Sequence, residues 1–113
     1  IHQATHLVIE SNYDEKMLRA GHYPLRLQNR ISSPNGHISN AETADFLAKN
    51  LNKDLIRKGW LCHLSAENNL PRIAYNTCAE ALLQAGFVLE GEEKNIDLQV
   101  LARRTPSLLT TLD

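Results

Sequence analysis

The chain has 113 residues, 42% of them hydrophobic and 22% charged, with a formal net charge of −1 at pH 7. These values are typical of a single globular domain, and the near-zero charge means that any phosphate binding must be local rather than a property of the whole surface. The apolar runs are short and the N-terminus has no signal-peptide pattern, so we predict a cytoplasmic protein with no membrane partner.

The first predicted element is a strand at Thr5–Ser11, centred on the apolar run LVI. A continuous run of this kind is found where both faces of a strand are buried. The segment 12–36 is interrupted by glycine and proline, and we expect it to be irregular apart from a short helix at Asp14–Ala20. Long irregular segments within compact domains are usually functional.

The next element begins at Ser39, because Glu42 follows three residues later and the two match a capping box. Apolar residues then recur at helical spacing before Gly59, which ends the predicted helix; they are Ala44, Leu47, Ala48, Leu51 and Leu55. A second strand is predicted at Trp60–Leu64.

A second long helix is predicted after Asn69, its expected N-cap, with Pro71 in the first turn and Gly86 as the C-terminal cap. The apolar positions of this helix are Ile73, Ala74, Cys78, Ala81, Leu82 and Ala85. The last predicted element is a strand at Ile96–Arg104, whose apolar and polar residues alternate as they do near a sheet edge.

The alternation of strands and helices predicts an α/β fold with a parallel sheet. Three strands with two main helices leave a sheet edge and at least one sheet face that need more cover. We expect this cover from a missing N-terminal half or from an identical partner chain.

Two histidines are candidate functional residues. His63 ends an apolar strand, and the carboxyl ends of parallel strands face the crevice where ligands bind, although a lone histidine there is also commonly structural. His37 is either an active-site residue beside a helix N-terminus, which favours anions, or a turn residue that helps to cap the helix. Cys62 and Cys78 lack metal-site or disulfide spacing, so we predict two small buried side chains.

Four blocks of the sequence, in order, resemble the C-terminal half of bacterial metallo-β-lactamase-fold hydrolases of the WalJ (YycJ) type. The blocks are VIESNYD from Val8, GHYPLRLQNRI from Gly21, GHISN from Gly36 and CHLSAENN from Cys62. The resemblance implies the C-terminal half of an αββα sandwich. It also implies a metal-dependent phosphodiesterase or nuclease in the complete protein, with nucleic acid or another phosphodiester as its substrate.

The resemblance also implies roles for individual residues. His63 matches the last histidine ligand of a centre with two divalent metal ions, zinc or manganese, and His37 matches a catalytic histidine near the substrate phosphate. The remaining matched positions lie in strand-end loops beside the metals and imply contacts with the substrate; they are Glu10, Ser11, Asn12 and Ser65.

The sequence departs from the family pattern at three block positions and in one larger respect. Cys62 stands where alanine is more frequent, a change that we expect to affect only packing. Tyr13 stands in place of the usual histidine, and Gln28 stands where a lysine is common. The HxHxDH motif of the superfamily does not occur in the sequence. Because catalytic zinc normally has three protein ligands, we expect the chain to be inactive alone and to hold no metal tightly. The alternative is a non-catalytic interaction module that dimerises through the uncovered half of the fold.

Overall fold

The computed structural model describes residues 3–101 of the chain. The described residues form three strands and four helices, in the order β1 (His6–Glu10), α1 (Glu15–Ala20), α2 (Leu25–Ile31), α3 (Asn40–Asn50), β2 (Lys58–Cys62), α4 (Pro71–Gln84) and β3 (Asp97–Val100). None of these helices is both long enough and apolar enough to cross a lipid bilayer.

The three strands form one parallel sheet with β2 in the middle. Val8 pairs with Trp60, and Trp60 pairs with Gln99, which fixes the register of all three strands. The prediction of an α/β fold with a parallel sheet is confirmed. Since the strands are parallel, the carboxyl ends of β1 and β2 lie at the same edge of the sheet, followed by the loops that carry the candidate residues.

One face of the sheet packs against α3 and α4, which also pack against each other. The register places Leu7 and Ile9 of β1, Leu61 of β2 and Leu98 of β3 on this covered face. The core beneath it is apolar; its least exposed side chains are Leu47, Ile56, Leu61, Ala74, Cys78, Leu82 and Ile96. Each fully buried leucine or isoleucine contributes about 1.5–3 kcal/mol through the removal of apolar surface from water.

The opposite face of the sheet is partly exposed. Val8 is 50% exposed, and the ring of Trp60 is stacked on that of His6 with 6.1 Å between the ring centroids. The prediction that β1 is buried on both faces is therefore wrong. A run of three apolar residues does not reveal which strand neighbours or covering helices are present, and β1 lies at an edge of the described sheet.

The segment 12–36 contains two helices rather than one. The predicted short helix is confirmed as α1, with Asp14 as its N-cap and the Asp14 carboxylate accepting a hydrogen bond from Met17 N at 3.1 Å. The expectation of an otherwise irregular segment is wrong, because α2 follows Pro24. The Arg19 guanidinium joins the two helices by donating to Asn29 and Ser32.

The boundaries around β2 also differ from the prediction. The capping box of Ser39 and Glu42 is confirmed, but α3 ends at Asn50, so Leu55 lies outside the helix and Gly59 lies within β2. Strand β2 begins two residues before the predicted start and ends at Cys62, which leaves His63 and Leu64 just beyond the strand.

Helix α4 has Leu70 as its N-cap, so the assignment of this role to Asn69 is wrong. Pro71 lies in the first turn as predicted, and Gly86 follows the C-cap with a φ of +94°, a conformation that glycine adopts without steric cost. Strand β3 is shorter than predicted, and residues 102–104 of the predicted strand lie outside the described residues. Cys78 is buried as predicted, whereas Cys62 is only partly buried, and both are free thiols.

Candidate functional site

The carboxyl ends of β1 and β2, together with the loops 11–14, 36–40 and 63–69, form what we call the strand-end rim. Backbone hydrogen bonds tie these loops into one unit. Asn12 N donates to Ile38 O at 2.9 Å, and Ser65 N donates to Asn12 O at 2.7 Å. Asn12 therefore lies between the loop that carries His37 and the loop that carries His63.

The side chains of Glu10 and His37 are in direct contact at the rim. His37 Nδ1 lies 2.6 Å from Glu10 Oε2, and both side chains remain accessible to solvent, at 53% and 28% respectively. A carboxylate can only accept a hydrogen bond, so Nδ1 carries the proton and Nε2 is left for another partner. The backbone of Glu10 is held in turn by Thr43, whose hydroxyl donates to Glu10 O at 2.6 Å.

The alternative interpretation of His37 was a role in capping α3. In the structure the capping hydrogen bonds are made by Ser39 and Glu42, while the imidazole of His37 contacts Glu10. The backbone N–H of His37 donates to Ile31 O at 2.8 Å, which closes the loop after α2. The His37 side chain is thus directed to the rim rather than to the helix terminus.

His63 adopts a backbone conformation that is unusual for a side-chain-bearing residue. Its φ is +56°, in the left-handed region, and its carbonyl oxygen accepts a hydrogen bond from Asn12 Nδ2 at 2.6 Å. Such conformations cost on the order of 1–3 kcal/mol and tend to occur at functional sites. The imidazole itself is exposed at the end of β2.

The described residues do not fit a complete metal centre. Catalytic zinc takes three protein ligands, and within residues 3–101 no group of three or more histidine, cysteine, aspartate or glutamate side chains lies close enough together to hold an ion. The exposed imidazole of His63 has the right chemistry for one ligand. A three-ligand centre that used His63 would need at least one ligand from outside residues 3–101.

Beneath the rim lies a buried polar network of Ser11, Asn40 and Asn69. The Ser11 hydroxyl donates to Asn40 Oδ1 at 2.6 Å, and the carboxamides of Asn40 and Asn69 exchange two hydrogen bonds of 2.9 Å each. Asn69 Nδ2 also donates to Ser11 O at 3.0 Å. Ser11, which the resemblance placed beside the substrate, is fully buried, so its side chain holds the rim together from below.

Burial also raises the pKa values of two thiols and one phenol near the rim. Burial raises the pKa of the Cys78 thiol to about 11, although a hydrogen bond with Ser11 acts in the opposite direction. Burial, and then the charge of Glu10, raise the pKa of Cys62. Burial, followed by the charges of Glu42 and Glu15, raises the pKa of Tyr13. All three groups are therefore neutral at pH 7, and none is an activated nucleophile.

A cavity of about 270 Å³ opens at the rim, with His37, Asn12 and Ser65 in its wall. A second cavity, of about 370 Å³, lies against Glu10 and His37. His37 lines both cavities. Sequence reasoning assigned no role to Asn40, Asn68 or Tyr23 and gave Asn69 only a capping role, although the paired asparagines after the HLS motif were an available signal.

Comparison with known proteins gives a consistent set of relatives. Exodeoxyribonuclease WalJ from two strains of Streptococcus pneumoniae, D39 and R6, is 39% identical over 85 residues, which are 75% of this chain and 31% of the relative. Exodeoxyribonuclease YycJ from Bacillus anthracis is 37% identical over 84 residues, which are 74% of this chain and 31% of the relative. No protein-family model matches the chain, and no solved structure matches it.

The chain spans about a third of the length of the curated relatives that it matches. The predicted resemblance is confirmed, because the matched proteins carry the WalJ and YycJ names. The chain is therefore a sequence relative of part of the WalJ (YycJ) type of exodeoxyribonuclease.

Proposed function

We propose that this chain is the C-terminal part of a metal-dependent, nuclease-like phosphodiesterase, and that it contributes the phosphate-contacting rim of the active site. The observation that carries the proposal is the 2.6 Å contact between His37 and Glu10 at the carboxyl ends of parallel strands. The exodeoxyribonuclease names of the relatives support nucleic acid as the substrate class. The chain alone is inactive in this proposal.

In the proposed chemistry, the Glu10 carboxylate accepts the hydrogen bond from His37 Nδ1 and so orients the imidazole. A water molecule forms the new P–O bond and releases its proton to solvent as the P–O bond to the leaving oxygen breaks. Protonated His37 gives its Nε2 proton to that leaving oxygen, and Nδ1–H stays bonded to the Glu10 carboxylate. General acids positioned in this way typically accelerate a reaction by about 10²–10⁴-fold. Asn12 and Ser65 face the same cavity as His37 and serve as hydrogen-bond donors to the bound substrate.

Ser11 supports this chemistry indirectly. Since its hydroxyl is buried and bonded to Asn40, it positions the strand-end loop instead of contacting the substrate with its side chain. His63 is proposed as one ligand of a centre with two divalent ions, zinc or manganese, whose other ligands lie outside the described residues. When bound, such ions neutralise charge on the phosphoryl oxygens.

The partly exposed face of the sheet is where the rest of a longer protein would pack. Val8 is half exposed there, and the relatives continue for more than two thirds of their length beyond the match. A second copy of the chain could cover the same face, and this observation keeps the dimerising interaction module as the second candidate. Sedimentation of the purified chain distinguishes the part of a larger enzyme from the interaction module. A stable dimer that buries Val8 favours the interaction module.

A chimera tests the proposed function. The segment of Streptococcus pneumoniae WalJ that matches this chain is replaced by the chain, and hydrolysis of single-stranded DNA is measured together with the metal content. We expect His37→Ala to lower turnover by roughly ten- to ten-thousandfold with unchanged metal content, and His63→Ala to lower the metal content itself. Lys49→Ala, at an exposed site on α3, is the matched control and should change neither.

The isolated chain provides the opposing test. It should retain no stoichiometric zinc or manganese after dialysis and should not hydrolyse bis-p-nitrophenyl phosphate. Two tightly held metal ions per chain, or turnover by the chain alone, would refute its proposed status as a part of a larger enzyme. Full activity of the folded His37→Ala chimera would refute the role of His37.

A further inference from the structure

Asn68 differs from the other buried asparagines of the rim because its carboxamide is unpaired within the part of the chain that the structure describes. The residue is only 2% exposed. Its backbone groups are satisfied, since Asn68 N donates to Ser65 Oγ at 3.1 Å and Asn68 O accepts from Asp14 N at 2.8 Å. By contrast, the carboxamides of Asn40 and Asn69 are bonded to each other.

The Asn68 side chain reaches the cavity of about 270 Å³ that opens beside His37. No polar side-chain atom in residues 3–101 is both sealed from solvent and without a partner, so the carboxamide of Asn68 keeps some contact with solvent. Its Oδ1 lies beside Gly21, at the end of α1. An unpaired buried amide costs roughly 1–3 kcal/mol unless water or a ligand satisfies it. Because Asn68 lines the cavity and its carboxamide has no partner among residues 3–101, this group is free to bond to a molecule in the cavity.

The rest of the cavity wall indicates what kind of partner this is. Tyr23 is the aromatic residue of the described wall, Ile31 and Leu64 are its apolar residues, and His37 lies at its side. Among residues 3–101, no lysine, arginine, aspartate or glutamate lines the cavity, so this part of the wall suits a neutral group rather than a phosphate. The volume is slightly below the range of about 300–1,000 Å³ typical of drug-sized ligands, which limits the occupant to a small ring system.

We propose that this cavity binds one unpaired nucleobase of the nucleic-acid strand whose phosphate lies at His37. The carboxamide of Asn68 offers a donor and an acceptor to the edge of the base, which is how asparagine pairs with bases elsewhere. Tyr23 supplies a stacking surface, and stacking on aromatic side chains is the usual means of holding unpaired bases. This assignment rests on the proposed function, because His37 fixes the position of the phosphate beside the cavity.

Nuclear magnetic resonance with small ligands tests the assignment on the full 113-residue chain. Deoxyadenosine 5′-monophosphate and thymidine 5′-monophosphate are compared with 2-deoxyribose 5-phosphate, which has no base. We expect at least one nucleotide to bind about tenfold or more tightly than the sugar phosphate and to shift the side-chain amide signals of Asn68. Equal affinity for all three ligands would overturn the assignment.

Variants locate the binding site. Asn68→Asp keeps the side-chain volume but removes the amide donor, and it should reduce the preference for the nucleotide over the sugar phosphate to less than twofold. Asn76→Asp makes the same change at an exposed position of α4 and should leave this preference intact. Tyr23→Leu should weaken nucleotide binding by about five- to a hundredfold through lost stacking, and Tyr23→Phe should not. Tyr23 is only partly buried, so its variants remain informative if Asn68→Asp fails to fold.

The two proposals fail in different ways. If 2-deoxyribose 5-phosphate shifts the ring signals of His37 but the base adds no affinity, the base cavity is wrong and the phosphate role of His37 stands. If none of the three ligands perturbs His37, the proposed function itself is contradicted. A base preference that persists in both Asn68→Asp and Tyr23→Leu would place the base elsewhere and overturn the assignment.

Discussion

The core beneath the covered face of the sheet and the strand-end rim are both well buried, but different interactions hold them. In the core, Leu61 and Leu82 are fully buried among other apolar side chains. At the rim, Ser11 and Asn40 are buried to the same degree, yet each is polar and bonded to another polar group. Apolar burial stabilises the core in proportion to area, whereas the rim depends on each donor keeping its acceptor.

The difference between these regions means that stability and site geometry respond to different mutations. A leucine in the core can be shortened without leaving a polar group unpaired. An asparagine in the rim network cannot be removed without leaving partners unpaired, because several bonds converge on it.

The largest effect is expected in the core. Leu82→Ala removes a fully buried side chain from α4 and should lower the free energy of unfolding by about 2–5 kcal/mol, through lost apolar burial and the cavity that remains. Leu83→Ala is the matched control, since Leu83 is the next residue and is 56% exposed. Urea unfolding measures both. Equal losses for the two variants would show that the assignment of the core face of α4 is wrong.

The next effect depends on pH and lies where the core meets the rim. Burial raises the pKa of Cys78 from 9.0 to about 11, so the unfolded chain loses this proton before the folded chain does. The stabilisation from the neutral buried thiol is complete below pH 9 and is lost as the pH rises to about 11. The loss amounts to at most roughly 3 kcal/mol in the free energy of unfolding.

Unfolding measured from pH 7 to 11 checks this prediction. Cys78→Val removes the titrating group and retains an apolar side chain, so the difference between the two curves isolates the thiol from other groups such as Tyr13. The free energy of unfolding of the Cys78→Val variant should rise steadily relative to that of the unchanged chain between pH 9 and 11. If the free energies of unfolding of the two proteins change in parallel over that range, the claim that the Cys78 thiol is buried and neutral is contradicted.

The smallest of these effects is expected in the rim network. Asn69→Ala leaves Ser11 O without its donor and Asn40 Nδ2 without its acceptor, and it should cost about 1–3 kcal/mol of unfolding free energy. Asn76→Ala, on the exposed surface of α4, should cost far less. A double variant with Asn40→Ala should cost less than the sum of the single variants, because the two residues share bonds. Additive losses would show that the network is not cooperative.

Local patterns in the sequence were sufficient for several elements of the fold. The capping box of Ser39 and Glu42 spans only three residues, and the terminal Gly86 is required by the backbone conformation after α4. The alternation of strands and helices also gave the parallel sheet. Helix α2 was missed because Gly21 and Pro24 suggested an irregular segment, although proline is well tolerated where a helix begins.

The candidate site depends on contacts between residues far apart in the sequence, and periodicity does not reveal these. Asn69 was predicted to cap a helix, but its carboxamide bonds to Asn40, 29 residues away, and to Ser11, 58 residues away. Likewise, Glu10 and His37 are 27 residues apart, and only the resemblance placed them in the same site. No local sequence pattern specifies their direct contact or the unpaired carboxamide of Asn68.

The central claim is that Glu10 and His37 act as a pair on a phosphodiester. Its most direct test is the turnover of single-stranded DNA by the WalJ chimera with His37→Ala, Glu10→Ala and the double change, at equal metal content and with confirmed folding. If the pair acts as a unit, the double variant loses no more activity than His37→Ala alone, which is expected to lose roughly ten- to ten-thousandfold. If the two losses multiply in the double variant, or if His37→Ala retains full turnover, the account of the site is contradicted.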